Sequence, residues 1–205
     1  MAHHPGDRLL VATTNAGKIR EIRDVLADLP IHLLTLSDLS SAIPEPAETG
    51  RTFAENAAIK ALAYAGASGL PTVAEDSGLA IDALGGRPGV ESARYPGRDY
   101  PERFRNLYRE LVPHPRPWTA RFVCALCFVP SAPPDATLEP GFETEATVEG
   151  EIAAEPRGTN GFGYDPIFFY PPYGCTLAEA DNVRKLTVAH RGKAFRQFRD
   201  WLRGH

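Results

Sequence analysis

The sequence has no long hydrophobic run. Its longest uninterrupted apolar stretch is Phe122–Val129, whereas a membrane-spanning helix needs about 20 apolar residues. The amino-terminal segment has only four successive apolar residues, Leu9–Ala12, before the polar Thr13. It is therefore not expected to act as a secretory signal. We expect a protein that has no membrane partner.

Cysteine and net positive charge are also scarce. Three cysteines among 205 residues cannot build a disulfide framework, and this usage favours a reducing, cytoplasmic location. Cys124 and Cys127 form a C-x-x-C pair in an apolar, strand-like stretch with no second pair. Buried structural thiols are therefore favoured over a zinc or redox site. The net charge of −4 gives no general attraction for nucleic acid, so any phosphate binding must be local.

The composition is that of an ordinary globular chain, with 43% hydrophobic and 23% charged residues, and one domain over residues 1–205 is expected. Periodicity predicts strands over Leu9–Thr13, Ile31–Leu36, Pro71–Glu75, Leu79–Leu84, Thr119–Val129 and Phe142–Ile152. It predicts helices over Ala16–Asp28, from the Thr52–Glu55 capping box to Ala67, over Pro101–Val112 and over Gly192–Arg203. This order predicts an α/β fold of mixed α+β character with a mixed sheet.

A polar turn leads from the first strand into the first helix. It consists of Thr13, Thr14, Asn15, Ala16, Gly17 and Lys18. Backbone N–H groups at a helix start attract an anion, and a lysine adds a full positive charge. The turn is not a P-loop, because Ala12 stands where that motif needs glycine and Ile19 stands where it needs a hydroxyl. Phosphate binding and an ordinary helix cap both remain open from these residues alone.

Two adjacent carboxylates, Glu75 and Asp76, close a predicted strand and are followed by Ser77 and Gly78. In an extended chain they point to opposite sides, so one can serve a cleft while the other faces water. With a carboxylate from another segment, Asp76 can hold Mg²⁺, which prefers oxygen ligands. A solvated turn is the alternative interpretation.

A loop rich in glycine and aromatic residues runs from Pro156 to Pro166. Its centre is Gly161, Phe162, Gly163, Tyr164 and Asp165. Such a loop can offer an aromatic face beside closely approaching backbone, which suits stacking on a planar base. A plain turn is the alternative.

The carboxy-terminal segment is basic. A basic amphipathic helix is usually a solvated face, with nucleic-acid contact as the alternative. Lys185 and the triplet His190-Arg191-Gly192 precede the predicted last helix, and we expect them in a loop with a separate role.

Taken together and in this order, these segments resemble the inosine/xanthosine triphosphate pyrophosphatase family. The blocks that carry the resemblance are TNAGK, ETGRTFAENAAIKA, AEDSGLAIDALGGRPGVESARY, GFGYDPIF and HRGKA. The resemblance covers nearly the whole chain, from Leu10 to the last helix. It implies an elongated mixed sheet flanked by helices, with two lobes around a central substrate cleft, and a homodimer. Residues 1–7 are expected to be a flexible tail.

The resemblance also implies roles for individual residues. The Thr13–Lys18 segment and Lys60 are expected to contact phosphates, with Arg94 as a weaker candidate. Glu48 and Asp76 are expected to bind Mg²⁺, Asp76 also to activate water, and Ser77 to lie beside the substrate. The residues expected to bind, read or enclose the base are Phe162, Gly163, Tyr164, Asp165, Lys185, His190 and Arg191.

The implied reaction is Mg²⁺-dependent hydrolysis of ITP, dITP and XTP to the monophosphate and pyrophosphate. Arginine has only donors, so Arg191 is expected to bind the 6-keto group of hypoxanthine and xanthine and to disfavour adenine. Ala189 stands where serine is usual in the family, so one hydrogen bond of that segment is expected to be absent. A nucleotide-binding module without catalysis and a nucleic-acid-binding protein are the alternative functions.

Overall fold

A computed structural model describes residues 8–131, 133 and 136–204; the expected tail, residues 1–7, lies outside the described residues. Within them the α-helices are α1 (Ala16–Leu26), α2 (Phe53–Ser68), α3 (Tyr100–Leu111), α4 (Asn182–Val188) and α5 (His190–Gly204). The β-strands are β1 (Arg8–Val11), β2 (His32–Thr35), β3 (Thr72–Ile81), β4 (Thr119–Val129), β5 (Phe142–Ile152), β6 (Phe168–Tyr170) and β7 (Cys175–Thr176). None of the described helices has the length and apolar character needed to span a bilayer.

The strands form one sheet in the order β2-β1-β3-β4-β5-β6-β7. β1 pairs in parallel with β2 and with β3, so that Leu10 lies opposite both Leu34 and Thr72. β6 pairs antiparallel with β5 and with β7. The sheet is therefore mixed, and the predicted fold class is confirmed.

The chain divides into two compact units. Of the described residues, the first unit takes those up to Asp76, Cys124–Ala146 and those from Arg191 onward. The second unit takes Ser77–Val123 and Thr147–His190. The single domain with two lobes around a cleft, expected from the sequence, stays a prediction.

Each unit has its own hydrophobic core. In the first unit, the small side chains of α2 allow close packing beside strand residues that include Leu10, Ala74 and Ala125. Cys127 is part of this core and Cys124 is fully buried. The described cysteines are free thiols, which agrees with the interpretation of a structural pair. In the second unit, large side chains from α3, β4 and β6 form the core, among them Leu107, Phe122 and Phe168.

The prediction of two separate strands, Pro71–Glu75 and Leu79–Leu84, with Asp76-Ser77-Gly78 between them is wrong, and so is the alternative of a solvated turn. β3 runs without interruption from Thr72 to Ile81. Gly78 is needed here for close approach, because a Cβ at this position would lie 2.3 Å from Ser92 Oγ and 2.6 Å from the carbonyl oxygen of Gly89. The glycine therefore marks tight packing inside a strand and not a turn.

The prediction of a loop before the last helix is also wrong. Lys185 lies within α4, and His190 and Arg191 are the first two residues of α5. The short α4 begins at the N-cap Asp181, whose side chain accepts a hydrogen bond from the backbone N–H of Arg184. This N-cap starts a helix of only seven residues. Such a short helix does not show a reliable apolar period, so the sequence pattern did not reveal it.

Candidate active site

The polar turn after β1 caps α1 with its own side chains. Asn15 is the N-cap, and its Oδ1 accepts hydrogen bonds from the backbone N–H groups of Gly17 and Lys18 at 2.9 and 3.2 Å. Thr13 Oγ1 accepts a hydrogen bond from the N–H of Asn15 at 3.2 Å. Thr14 and Ala16 are exposed. The turn is thus held in one shape by local bonds, and the positive end of the helix dipole adds to its attraction for an anion.

The side chain of Lys18, at the end of this turn, belongs to a buried ion network of the first unit. Its ammonium lies 2.7 Å from Glu75 Oε1, and the Glu75 side chain is only 1% exposed. Arg191 Nε and Nη2 donate to that same oxygen at 3.3 Å each. Arg191 Nη1 donates to Glu21 Oε2 at 2.7 Å. Four alternating charges therefore run from Lys18 through Glu75 and Arg191 to Glu21.

The expectation that one of the two adjacent carboxylates faces water is wrong. Glu75 is 3% exposed and Asp76 is 7% exposed. Burial alone would raise the pKa of Glu75, but Arg191 and Lys18 hold it well below the usual range. The Glu75 carboxylate stays charged in the interior because two cations and the Cys124 thiol, 3.5 Å from its second oxygen, surround it.

Lys60 forms ion pairs with two carboxylates, Glu48 and Asp76. Its ammonium lies 2.7 Å from Glu48 Oε1 and 3.2 Å from Asp76 Oδ1. Asn56, fully buried one helical turn earlier on α2, donates from Nδ2 to Asp76 Oδ2 at 3.2 Å. We call Lys60, Glu48, Asp76 and Asn56 the lysine–carboxylate cluster.

The start of α2 fixes the loop that carries Glu48. Thr52 and Glu55 form a capping box, as the sequence predicts. The backbone N–H of Gly50 donates to Asn56 Oδ1 at 2.8 Å. A Cβ on Gly50 would lie 2.6 Å from that oxygen and 2.7 Å from the Cβ of Glu55. Glycine at position 50 is therefore required for the loop to approach the helix this closely.

Burial and the neighbouring charges shift the pKa values of Asp76 and Lys60 in this cluster. Burial raises the pKa of Asp76, and Lys60 only partly opposes the effect. Burial alone would lower the pKa of Lys60, but Asp76 and Glu48 together raise it, so the ammonium stays charged. Asp76 is thus a carboxylate with more affinity for a proton than an exposed aspartate has.

The cluster also bears on the expected metal. The described residues contain no group of three or more histidine, cysteine, aspartate or glutamate side chains arranged to hold a metal ion. Mg²⁺ needs only one or two protein carboxylates when phosphate and water supply the other oxygens. Glu48 and Asp76 already share one cation, the ammonium of Lys60. Their oxygen donors therefore fit Mg²⁺, although the cluster alone would not complete its coordination.

In the second unit, the glycine–aromatic loop is organised by a buried ion pair. Lys185 Nζ lies 2.6 Å from Asp165 Oδ2, and the two side chains are 2% and 4% exposed. The same Asp165 oxygen accepts the backbone N–H of Phe162 at 2.8 Å. Lys185 Nζ lies 4.9 Å from the centre of the partly exposed Phe162 ring, which is within cation–π range. Phe162, Asp165 and Lys185 therefore form one group.

Tyr164 has a structural position in this loop. Its side chain is buried, its hydroxyl donates to the carbonyl oxygen of Ser92 at 2.8 Å, and its ring packs edge-on against Tyr100 at 5.3 Å. Gly163 has φ of 66°, a left-handed conformation that favours glycine. The two aromatic residues of the loop thus differ, since Tyr164 is buried whereas Phe162 is a partly exposed residue.

The remaining candidates of the second unit are Ser77, Arg94 and His190. Ser77 is partly exposed within β3. Arg94 ends a short 3₁₀ helix, and its Nε lies 3.3 Å from Glu91 Oε2. His190 is buried, with its ring stacked 4.8 Å from that of Phe122. Ala189, the residue before His190, is 1% exposed.

Sequence reasoning missed Glu21 in the candidate site, and it missed the contacts that Asn56 and Glu75 make there. Asn56 lies one helical turn before Lys60, and that spacing was the only local signal for it. The sequence indicates Glu75 as a carboxylate but gives no sign that it is the centre of an ion network. No pattern pointed to Glu21, whose partner Arg191 is 170 positions away.

Comparisons with known proteins agree with the fold and with the motif blocks. The sequence model of the Ham1 family matches residues 9–201. A Rhodospirillum centenum protein named dITP/XTP pyrophosphatase is 46% identical over 196 residues, covering 94% of this chain and 93% of that protein. A Thermus thermophilus protein of the same name is 47% identical over 196 residues, covering 93% of this chain and 89% of that protein.

Solved structures lead to the same result. A HAM1 protein from Coxiella burnetii superposes with a TM-score of 0.85 at 39% identity, covering 97% of this chain and 99% of that one. A structure described as nucleoside-triphosphatase / dITP/XTP pyrophosphatase from Mycobacterium abscessus gives a TM-score of 0.72 at 38% identity, covering 93% and 98%. The resemblance inferred from the motif blocks is confirmed, and the chain belongs to the Ham1 family.

Proposed function

We propose that this protein hydrolyses non-canonical purine nucleoside triphosphates, namely ITP, dITP, XTP and dXTP, to the nucleoside monophosphate and pyrophosphate. The observation that carries the proposal is the lysine–carboxylate cluster, where Asp76 and Glu48 share the ammonium of Lys60. Relatives named dITP/XTP pyrophosphatase, 46% and 47% identical to this chain, support the substrate class.

The reaction needs charge neutralisation more than covalent chemistry. A water oxygen forms a bond to the α-phosphorus, the bond from that phosphorus to the bridging oxygen breaks, and pyrophosphate leaves with the electron pair. Negative charge grows on the leaving oxygens, and fixed cations stabilise it. Lys18 and Lys60 are the cations that we assign to the phosphates.

Asp76 is proposed to orient the attacking water and accept its proton. Asn56 and Lys60 hold one oxygen each at 3.2 Å, so the orientation of the carboxyl group is determined by α2. Ser77 is assigned a place beside the substrate.

Mg²⁺ is the proposed cofactor, with Glu48 and Asp76 as its protein ligands. When bound, it would neutralise phosphate charge and act as a Lewis acid at the phosphoryl oxygens. For the base, we propose stacking on the ring of the partly exposed Phe162, with Asp165 and Lys185 as the polar groups. The base-binding roles of Gly163, Tyr164 and His190, and the phosphate role of Arg94, rest on the resemblance alone. The homodimer, the cytoplasmic location and the absence of nucleic-acid and membrane partners stay predictions.

The test is direct. Wild-type protein and Asp76→Asn are incubated with ITP, XTP, GTP and ATP, with and without Mg²⁺, and both pyrophosphate and monophosphate are measured. We expect wild type to release equal amounts of both products from ITP and XTP only with Mg²⁺. Asp76→Asn keeps the size of the side chain but loses its charge, so we expect turnover to fall by about 10² or more, with the protein still folded by circular dichroism.

The alternatives are outcomes of the same experiment. Binding of ITP without any pyrophosphate would support a nucleotide-binding module and contradict the proposal. Release of orthophosphate in place of pyrophosphate would contradict attack at the α-phosphorus. Near-normal turnover by Asp76→Asn would contradict the assignment of the site.

A further inference from the structure

Asn56 connects the two segments that carry the proposed metal ligands. This residue of α2 is fully buried. Its Oδ1 accepts a hydrogen bond from the backbone N–H of Gly50 at 2.8 Å, and its Nδ2 donates to Asp76 Oδ2 at 3.2 Å. Gly50 lies two positions after Glu48, and all four residues belong to the first unit. A single side chain therefore contacts both the loop of Glu48 and the carboxylate of Asp76.

The chemistry of its two partners determines which way the amide of Asn56 faces. A backbone N–H can only donate and an ionised carboxylate can only accept, whereas an amide has one group of each kind. The Asn56 oxygen must therefore face Gly50, and the nitrogen must face Asp76. A hydroxyl has its donor and its acceptor on one atom, and a carboxylate has no donor, so neither group can replace the amide.

The loop that follows Glu48 is packed closely against the start of α2. A Cβ on Gly50 would lie 2.6 Å from Asn56 Oδ1 and 2.9 Å from the Asn56 backbone nitrogen. The next two backbone N–H groups, of Arg51 and Thr52, both donate to Glu55 Oε2. Successive N–H groups of the loop are therefore bound by two neighbouring side chains of α2, and Asn56 extends this hold to the β3 carboxylate.

Asn56 differs from Lys60, which also bridges the two acids. A lysine has a flexible four-carbon stem, and the proposed function gives its ammonium a further ligand, the phosphates. Asn56 is neutral, short and fully buried, whereas the side chains of Glu48 and Asp76 are 18% and 9% exposed. A ligand that enters from solvent therefore meets the two acids and not Asn56.

We infer that Asn56 is a positioning residue for the proposed metal site and holds Glu48 and Asp76 at the separation that binding of Mg²⁺ requires. This inference rests on the proposed function, because that function takes the two carboxylates as ligands of Mg²⁺. Mg²⁺ accepts little departure from octahedral geometry, so a small displacement of either acid weakens binding. Residues that orient metal ligands typically contribute about 10- to 100-fold to metal affinity or activity.

The first measurement is the Mg²⁺ concentration that gives half-maximal hydrolysis of ITP. We expect Asn56→Ala to raise this concentration by about tenfold or more relative to wild type, and excess Mg²⁺ to restore part of the rate. At saturating Mg²⁺, the values of kcat/KM for ITP and ATP should fall by a common factor, because the amide acts on the metal site and not on the base.

Ala65→Gly is the matched control, because Ala65 is a buried residue of the same helix outside the lysine–carboxylate cluster. Glycine lowers helix stability, so this variant reports what destabilisation alone does. We expect its Mg²⁺ requirement to equal that of wild type at a temperature where both proteins are folded by circular dichroism.

The second measurement is binding of Mg²⁺ without nucleotide, so that it does not depend on activity. Lys60→Met and Lys60→Met/Asn56→Ala are titrated with MgCl₂ by calorimetry, because the ammonium of Lys60 otherwise pairs with both acids. We expect the double variant to bind Mg²⁺ more weakly than Lys60→Met by about tenfold or more. If Asn56→Ala does not fold, Asn56→Ser takes its place, because its one short polar group cannot bond to Gly50 and Asp76 together.

Several results would overturn the inference. An unchanged Mg²⁺ requirement of Asn56→Ala, or an equal shift in Ala65→Gly, would leave Asn56 a purely structural role. Equal Mg²⁺ affinity of the Lys60→Met protein with and without Asn56→Ala would show that the amide does not act on the metal site. No Mg²⁺ binding by Lys60→Met would remove the premise. A wild type that does not hydrolyse ITP would overturn the proposed function, and the calorimetric comparison would then still decide the role of Asn56.

Discussion

Neighbouring carboxylates of one strand have opposite electrostatic character. Burial raises the pKa of both Glu75 and Asp76, but only Glu75 has two cations close enough to reverse the effect. Asp76 shares the ammonium of Lys60 with Glu48, so its charge is less fully compensated. The same residue chemistry thus yields a permanent anion at one position and a candidate proton acceptor at the next.

Replacing Lys60 tests whether its ammonium occupies the place of a metal ion. Lys60→Met keeps the aliphatic stem but leaves Glu48 and Asp76 without their shared cation. Two close carboxylates repel each other, so we expect the variant to bind Mg²⁺ more tightly than wild type when no nucleotide is present. Calorimetric titration with MgCl₂ measures this.

Lys18→Met is the matched control, because Lys18 pairs with Glu75 and not with the lysine–carboxylate cluster. It should change Mg²⁺ affinity much less than Lys60→Met does. Equal or weaker Mg²⁺ binding by Lys60→Met would contradict the assignment of Glu48 and Asp76 as metal ligands.

At the scale of elements, two glycines show that the same residue type serves different purposes. Gly66 is an exposed position inside α2, where an added Cβ would meet only Leu138 Cδ1, at 3.5 Å. Gly78 lies inside β3, where an added Cβ would come within 2.6 Å of both Ser92 Oγ and the carbonyl oxygen of Gly89. The effect of a substitution on stability is therefore expected to depend on helix propensity at Gly66 and on packing at Gly78.

The matched pair Gly66→Ala and Gly78→Ala should therefore change stability in opposite directions. Gly66→Ala should raise the free energy of unfolding by up to about 1 kcal/mol, because glycine in a helix loses more chain entropy on folding. Gly78→Ala should lower it by about 1–3 kcal/mol through overpacking. Urea denaturation measures both changes. If Gly78→Ala left the free energy of unfolding unchanged, the segment 89–94 would have to shift at little cost to accommodate the added methyl group.

At the scale of the whole molecule, each of the two units contains buried thiol or phenol groups that stay uncharged. Burial raises the pKa of Cys127 to about 12 in the first unit, and burial likewise raises the pKa of Tyr108 to about 12 in the second. The pKa of the Cys124 thiol is raised well above its usual value, first by burial and then by Glu75. These groups stay protonated when folded but ionise near pH 9–10 when unfolded.

The protein should therefore lose stability in alkali. A folded-state pKa above the unfolded value gives stability that is complete below the unfolded pKa and is lost as pH rises towards the folded pKa. Each such group contributes a fall of up to about 1.4 kcal/mol per pH unit in that range. We expect the free energy of unfolding, measured in urea, to decrease steadily between about pH 9 and 12.

Cys127→Ala tests the origin of this decrease. At pH 7 the thiol is neutral in both states, so the difference from wild type there measures packing alone. Between about pH 9 and 12 the variant should lose stability less steeply than wild type. Parallel curves for the two proteins would show that Cys127 does not contribute to the alkaline loss.

Much of the architecture follows from the sequence alone. β4 and β5 span Thr119–Val129 and Phe142–Ile152, the ranges that local patterning predicts. The capping box of α2 is likewise formed. The motif blocks identified the family because their order along the chain is itself information. These features depend on neighbours within a few positions, and such neighbours are fully present in the sequence.

Tertiary structure alone decided how the charges are shared. Arg191 meets Glu75 across 116 positions and Glu21 across 170, distances over which no local pattern operates. The continuity of β3 through Gly78 depends on Ser92, a residue of the separate 3₁₀ helix over Gly89–Arg94. Whether a carboxylate is a fixed anion or a proton acceptor depends on burial and on the cations around it, and both arise only when separate elements pack together.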